Sequence, residues 1–208
     1  MLLYLVRHGE TDWNRLRRIQ GRTDIPLNET GRHQAKATGR LLARRDWHIV
    51  VTSPLVRAAE TAQIIAAELG LAAPTEHSAL VERDYGDAEG LEDVELDRRY
   101  PGETPVPGRE ERSDVVARVM PALIDIAQQH PDQSVIVVSH GGVIRSVLNA
   151  VDPENHHPMI PNGSVHSFHF ESGALRLIAF NDPMEDESLA VGRDELDEQN
   201  ALEAREPD

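Results

Sequence analysis

Short apolar runs alternate along the chain with longer segments in which apolar residues recur at helical spacing. Three of these runs, at 2–6, 48–52 and 134–139, are rich in Leu, Val and Ile and predict buried strands. A segment with helical periodicity follows each of them. Because parallel strands need crossover connections, this alternation predicts an α/β fold, a three-layer α/β/α arrangement with a mainly parallel central sheet.

Residues that favour helix ends predict where the helices begin and stop. Asn28 is a favourable N-cap for the first long helix, and Ser53 followed by Pro54 predicts the start of the second. Gly70 is a favourable C-terminal cap for that second helix. A further helix is predicted over 113–129, with these residues facing inward: Val116, Val119, Leu123, Ile126 and Ala127.

Three regions depart from the alternation. Residues 86–112 hold four glycines, three prolines and many charges, which predicts a loop-rich, cap-like insertion. The apolar segments 165–170 and 175–180 predict a hairpin. Residues 182–208 carry eleven acidic side chains against two arginines, which predicts a flexible acidic tail outside a domain that spans 1–181.

Composition narrows the class of protein. The chain has 208 residues and a formal net charge of −15, so nucleic acid is not an expected partner. It has no cysteine, which excludes disulfides and thiolate chemistry. No apolar run approaches the roughly 20 residues of a membrane span, and the N-terminal run is too short for a signal peptide. We therefore expect a cytoplasmic protein without membrane contact, and the sequence leaves a homodimer open.

Candidate chemistry follows the three predicted strands at their carboxyl ends. Arg7 and His8 follow the first strand, the segment leading to Arg57 follows the second, and His140 follows the third. In parallel sheets these ends share one edge, so we expect the side chains to converge on one site.

These residue types suit the transfer of a phosphoryl group. A neutral imidazole is a good nucleophile near pH 7, so His8 can attack phosphorus and form a phosphoimidazole. Arg7 and Arg57 can clamp the phosphoryl oxygens, and a protonated His140 would add positive charge. Glycines at 9, 141 and 142 let the backbone approach a phosphate, and the following helix N-terminus offers further donors. Glu82 is the candidate general acid for the leaving alkoxide.

Several blocks of sequence resemble one known family. LVRHGETDWN at 5–14, SPLVRAAETA at 53–62, LVERDYGDAEG at 80–90 and VSHGGVIR at 138–145 occur in order and with sensible spacing. Together they resemble the histidine phosphatase superfamily, branch 1, whose fold is that of phosphoglycerate mutase. The resemblance covers the chain from residue 2 to about 180, and it is closest to the broad-specificity phosphatases.

The resemblance implies a role for each matching residue. It implies that His8 is phosphorylated, that Glu82 donates a proton, and that the phosphate pocket is completed by Arg7, Arg57 and His140. It further implies that the pocket is lined by Asn14, Gln20, Gly21 and Gly141. The chemistry of this family needs no metal and no cofactor, and the expected substrate is a small phosphorylated metabolite.

The family contains both phosphatases and cofactor-dependent phosphoglycerate mutases. Mutases carry a Lys where this sequence has Asp93, and they have a longer insertion than 86–112. Both differences favour a phosphatase. For Arg109 and Arg112, solvent exposure is favoured over contact with a second anionic group of the substrate. Two alternatives stay open, namely a phosphoglycerate mutase and a weakly active protein that binds phosphorylated ligands.

The remaining histidines do not predict a metal site. His166 and His169 lie in a predicted strand at positions that face opposite sides of the sheet, which is poor ligand geometry. We therefore expect these two, together with His156 and His157, to be surface residues.

Overall fold

The computed structural model describes residues 1–182, so the acidic tail predicted over 182–208 lies, apart from Asp182, outside the described residues. The strands are β1 (Leu2–Arg7), β2 (Ile49–Thr52), β3 (Thr75–Glu76), β4 (Val135–Ser139), β5 (Val165–Glu171) and β6 (Ala174–Ala179). The helices are α1 (Asp12–Arg15), α2 (Glu29–Leu42), α3 (Val56–Leu69), α4 (Asp93–Arg99), α5 (Arg112–Gln129) and α6 (Gly141–Val151).

The six strands form one mixed sheet in the order β3-β2-β4-β1-β5-β6. The first four of these strands are mutually parallel, whereas β5 runs antiparallel to β1 and to β6. The predicted α/β fold with a mainly parallel sheet and a final hairpin is therefore confirmed.

Alternation along the central strand builds a core on both faces of the sheet. Leu3 and Leu5 face one side, where they join apolar residues of α5 and α6. Tyr4 and Val6 face the other side, where they join residues of α2 and α3. Helices on both faces explain why β1 and β4 are apolar at successive positions, up to the polar residue that ends each strand, rather than at every second position.

The start of helix α3 differs from the prediction. Helix α3 begins at Val56 with Leu55 as its N-cap, so Ser53 does not cap it and Pro54 is not in its first turn. The Ser53 hydroxyl contacts the His140 ring instead. Asn28 and Gly70 do cap α2 and α3 as predicted.

Two further predictions about the second half of the chain are corrected. In α5 the residue that packs into the core is Val115, whereas Val116 is only partly buried. The segment 86–112 contains α4 and packs with Ile19 and Tyr85 in a small apolar cluster, so it is more ordered than a loop-rich insertion. That cluster consists of Ile19, Tyr85, Ala88, Leu96 and Val106. Tertiary packing compensates there for the many glycines and prolines.

Two of the four histidines expected at the surface are buried. His166 accepts a hydrogen bond from the Asn181 N–H at Nδ1 and contacts the Ser164 hydroxyl at Nε2, so its polar atoms have protein partners. His157 is also buried and stacks on Phe180 with ring centroids 5.0 Å apart. Within residues 1–182 no three His, Asp or Glu side chains are grouped so as to hold a metal ion. No helix in this range is long and apolar enough to cross a membrane.

Candidate active site

The carboxyl ends of β1, β2 and β4 bring the predicted residues together. Arg7 pairs with Ser139 in the sheet, and the His8 N–H donates to the Ser139 carbonyl at 3.0 Å. This register places His8 beside His140, with ring centroids 5.2 Å apart. Arg57 reaches the same point from the first turn of α3.

The His8 ring is held in one tautomer. Its Nδ1 lies 2.7 Å from the Gly9 carbonyl, which can only accept, so Nδ1 carries the hydrogen. The lone pair is therefore on Nε2, which accepts a hydrogen bond from Nε of Arg57 at 3.3 Å. Burial, and then the charges of Arg57 and Arg7, hold the pKa of His8 well below its usual value. His8 is consequently a neutral imidazole whose basic nitrogen is Nε2.

The Arg57 guanidinium is fixed by backbone carbonyls. Its Nη1 donates to Thr23 O at 2.9 Å and its Nη2 donates to Gly21 O at 2.7 Å. Burial is the main cause that lowers the pKa of Arg57 to about 10, so the side chain remains charged at neutral pH. Three of its five N–H groups are thus committed, and two are left to bind oxygen atoms of a ligand.

The loop that holds Arg57 is itself fixed by Glu89. The Glu89 carboxylate accepts hydrogen bonds from the N–H groups of Arg22 and Thr23 and from the Thr23 hydroxyl, at 2.8, 2.9 and 2.5 Å. Gly21 has a φ of +54°, and a Cβ there would collide with the Glu89 side chain. Nothing in the spacing of Glu89 distinguishes it from the other acids of 80–90.

Arg7 and the His8 backbone are held by the loop before β5. Arg7 Nη1 donates to the Ile160 carbonyl at 2.6 Å, and Asn162 Nδ2 donates to the His8 carbonyl at 3.1 Å. The same loop is anchored from α6, because Arg145 donates to the His157 carbonyl at 2.6 Å. Sequence reasoning missed Asn162 and Arg145, although Arg145 lies in the VSHGGVIR block.

Two of the residues predicted to line the pocket, Asn14 and Gln20, meet at Thr11. Asn14 and Thr11 form a capping box on α1, and the Thr11 hydroxyl also donates to Gln20 Oε1 at 2.9 Å. The buried Gln20 Nε2 has no hydrogen-bond partner among residues 1–182, so it can donate to a ligand.

Gly9 is required by the packing of the turn after β1 against α2. A Cβ at Gly9 would collide with the Gly31 carbonyl. Gly141 is the first residue of α6 and follows His140 directly.

His140 is buried and its Nε2 lies 2.7 Å from the Ser53 hydroxyl. Burial, and then the charges of Arg57 and Arg7, hold its pKa well below the usual value. These effects disfavour the positive charge that the sequence predicts on His140.

Glu82 occupies the N-terminus of α6. Its Oε2 accepts from the Gly142 N–H at 3.1 Å, and its Oε1 accepts from the N–H groups of Val143 and Arg83 at 3.1 and 2.7 Å. The sequence predicts that the N–H groups at the start of this helix donate to a phosphate. The N–H groups of Gly142 and Val143 instead donate to Glu82. The Glu82 backbone is fixed by Arg118, which donates to the Glu82 carbonyl at 3.2 Å.

Comparison with known proteins gives a consistent result. The model of the histidine phosphatase superfamily (branch 1) matches residues 3–183. An uncharacterized phosphatase PhoE of Bacillus subtilis is 41% identical over 180 residues, which cover 85% of this chain and 92% of that protein. A 2,3-bisphosphoglycerate-dependent phosphoglycerate mutase of Gloeobacter violaceus is 34% identical over 165 residues, which cover 73% and 75% respectively.

Solved structures agree with these matches. A mycobacterial glucosyl-3-phosphoglycerate phosphatase in complex with VO3 superposes with a TM-score of 0.78 at 32% sequence identity. The superposition covers 86% of this chain and 98% of that one.

Proposed function

Since the chain belongs to branch 1 of the histidine phosphatase superfamily, we propose that it hydrolyses small phosphate monoesters through a phosphohistidine on His8. One observation carries the proposal. The Gly9 carbonyl fixes the Nδ1 hydrogen of His8, so that the lone pair of Nε2 lies among Arg57, Arg7 and His140. A neutral nucleophile surrounded by cationic and neutral donors suits attack on a phosphoryl group.

In the first half-reaction, Nε2 of His8 attacks phosphorus, a P–N bond forms and the ester P–O bond breaks. Arg57 and Arg7 donate to the phosphoryl oxygens, where negative charge collects in the transition state. Glu82 protonates the departing alkoxide oxygen. Its oxygens accept three backbone N–H bonds in the ligand-free site, so the proton that it donates is supplied by the monoanion of the substrate.

In the second half-reaction, water attacks the phosphohistidine. Glu82, now a carboxylate, takes a proton from the water as the new P–O bond forms. The P–N bond breaks and returns the electron pair to Nε2 of His8. Inorganic phosphate then leaves with the proton that Glu82 took from the water, which restores the Glu82 carboxylate, and no metal ion is required by any of these steps.

A phosphatase suits the edge of the site better than a mutase does. The Gly90 N–H donates to the Ile19 carbonyl at 2.7 Å, so the segment that begins α4 lies beside Gln20. This segment carries Asp93 where mutases have a Lys, next to Glu92, whose carboxylate pairs with Arg18 at 3.1 Å. A mutase must hold a doubly charged phosphoglycerate, and an acidic side chain in place of the Lys opposes the binding of a substrate carboxylate.

Two alternatives have specific support. The mutase of Gloeobacter violaceus is a relative at 34% identity, so phosphoryl transfer to a second hydroxyl is the second candidate function. A weakly active protein that binds phosphorylated ligands would retain the same pocket. All five residues proposed for the chemistry are present, which favours turnover. A small phosphorylated metabolite remains the proposed substrate.

The test is hydrolysis of p-nitrophenyl phosphate by the purified protein with a metal chelator present. We expect turnover by the wild type and none by His8→Ala, and wild type quenched in alkali, where the P–N bond is stable, should carry phosphate on a histidine nitrogen. Absence of wild-type turnover, or full activity of His8→Ala, would overturn the proposal. Rapid interconversion of 3- and 2-phosphoglycerate that depends on 2,3-bisphosphoglycerate would identify the mutase instead.

A further inference from the structure

Ser53 is the residue next to β2 that contacts the ring of His140. Strands β2 and β4 are parallel and pair Thr52 with Val138, so the residues that follow them lie side by side. The Ser53 hydroxyl oxygen lies 2.7 Å from Nε2 of His140, and it accepts a hydrogen bond from the Leu55 N–H at 3.3 Å. Both Ser53 and His140 are fully buried, so water does not supply alternative partners.

Two arrangements of hydrogen are available to this pair. If Nε2 of His140 carries the hydrogen, the Ser53 oxygen accepts from two N–H groups, and its own hydroxyl hydrogen has no acceptor among residues 1–182. The Nδ1 lone pair of His140 is then without a donor as well. This arrangement leaves two buried polar groups unsatisfied.

The second arrangement satisfies more of these groups. The Ser53 hydroxyl donates to Nε2 of His140 and still accepts from the Leu55 N–H. Only the Nδ1–H of His140 is left without a partner in the described residues. It is buried in the site that holds the His8 ring, and it is a donor of the kind that an incoming oxyanion needs.

We propose that Ser53 is a positioning residue that holds His140 in the tautomer with hydrogen on Nδ1, so that Nδ1 can donate to a phosphoryl oxygen. The part of this inference that concerns the ligand rests on the proposed function, whereas the tautomer does not. Burial and the neighbouring arginines keep His140 neutral in the ligand-free protein, so a choice between tautomers exists.

The tautomer can be measured directly by nitrogen-15 NMR of the ligand-free wild-type protein, without any assay of activity. We expect the coupling pattern of a protonated Nδ1 and an unprotonated Nε2 for His140. In Ser53→Ala the donor to Nε2 is lost, and we expect a substantial population of the opposite tautomer. Ser139→Ala is the matched control, because Ser139 is a fully buried neighbour whose hydroxyl donates to Leu80 O at 2.9 Å. It should leave the His140 tautomer unchanged.

Binding of inorganic phosphate supplies the second measurement. We expect the dissociation constant for phosphate to rise about tenfold in Ser53→Ala, which is the loss of one hydrogen bond to a charged group. Ser53→Cys, which retains a weak donor, should lie between Ser53→Ala and the wild type.

Protonated Nε2 in the wild type, or the same tautomer in Ser53→Ala and the wild type, would overturn the inference. The wild-type spectrum decides even if a variant fails to fold. A protein with the expected tautomer but no phosphatase turnover would contradict the proposed function alone.

Discussion

Nε of Arg57 donates to Nε2 of His8 at 3.3 Å, so the proposed nucleophilic lone pair faces a cation in the ligand-free site. A substrate must take over this hydrogen bond before His8 can attack. The exchange needs little movement, because the Gly21 and Thr23 carbonyls hold the two Nη atoms in place. The arginine that covers the nucleophile is thereby already positioned to bind a phosphoryl oxygen.

Replacement of Arg57 by Lys should therefore be far from conservative. Lysine keeps the charge but cannot contact two carbonyls, His8 and a phosphoryl oxygen in one plane. We expect kcat/KM for p-nitrophenyl phosphate to fall about 100-fold, which corresponds to roughly 3 kcal/mol for hydrogen bonds to charged groups. Arg40→Lys is the matched control, since Arg40 is exposed on α2, and it should retain wild-type activity. A loss below threefold in Arg57→Lys would contradict this role.

The proposed role of Glu82 predicts a dependence on the leaving group. Glu82→Gln cannot protonate an alkoxide, so kcat/KM for an alkyl phosphate should fall about 1000-fold, within the usual range for general acid catalysis. p-Nitrophenolate leaves as a stable anion, so kcat/KM for p-nitrophenyl phosphate should fall much less. The ratio of the two substrates is measured on the same preparation and cancels losses through misfolding. Equal losses for both esters would exclude proton donation by Glu82.

Glu89 should affect phosphate binding although it is not proposed to touch the substrate. Its two carboxylate oxygens accept hydrogen bonds from the loop that supplies the Gly21 and Thr23 carbonyls to Arg57. In Glu89→Gln an NH2 group would face backbone N–H groups, the loop would shift, and we expect kcat/KM to fall about 10-fold. In the same variant, the inhibition constant for inorganic phosphate should rise.

A control for Glu89 lies in the same part of the chain. Glu95→Gln removes a carboxylate of α4 that pairs with Arg98 and Arg99 at the surface. Glu95→Gln should change neither kcat/KM nor the inhibition constant for inorganic phosphate. If Glu89→Gln lowers thermal stability but leaves the phosphate inhibition constant unchanged, its role is structural and does not extend to Arg57.

The convergence of His8, Arg57 and His140 can be predicted from the sequence for a physical reason. Each follows an apolar run, and the carboxyl ends of parallel strands meet at one edge of a sheet. A prediction from the local sequence pattern fails where a tertiary contact competes with the local preference. Ser53 and Pro54 have the composition of a helix start, yet the Ser53 hydroxyl contacts His140 and α3 begins at Val56.

The supports of the site are harder to predict, because they are long-range and use the backbone. The Ile160 carbonyl that holds Arg7 is 153 positions away, and any residue type could supply it. Asn162 is 154 positions from His8, in a segment without helical or strand periodicity. Neither local periodicity nor residue type indicates such a contact before the fold is known.

Buried histidines predict that the fold is weakened by acid. Burial is the main cause that lowers the pKa of His166 to about 3, so the folded state binds fewer protons than the unfolded chain, whose histidine titrates near 6.5. The resulting stability is present above about pH 6.5 and is lost as the pH falls toward 3. For His166 alone, the free energy of unfolding should decrease by about 2 kcal/mol between pH 7.5 and pH 5.

Urea unfolding of wild type and His166→Gln at both pH values isolates this contribution. Glutamine can still bond to the Ser164 hydroxyl and the Asn181 N–H but does not titrate, so the decrease between pH 7.5 and pH 5 should be about 2 kcal/mol smaller in the variant. His33→Gln is the control, because His33 is exposed on α2, and its decrease should match that of the wild type. If the free energy of unfolding decreases equally in wild type and His166→Gln, His166 has a similar pKa in the folded and unfolded protein, and the prediction is wrong.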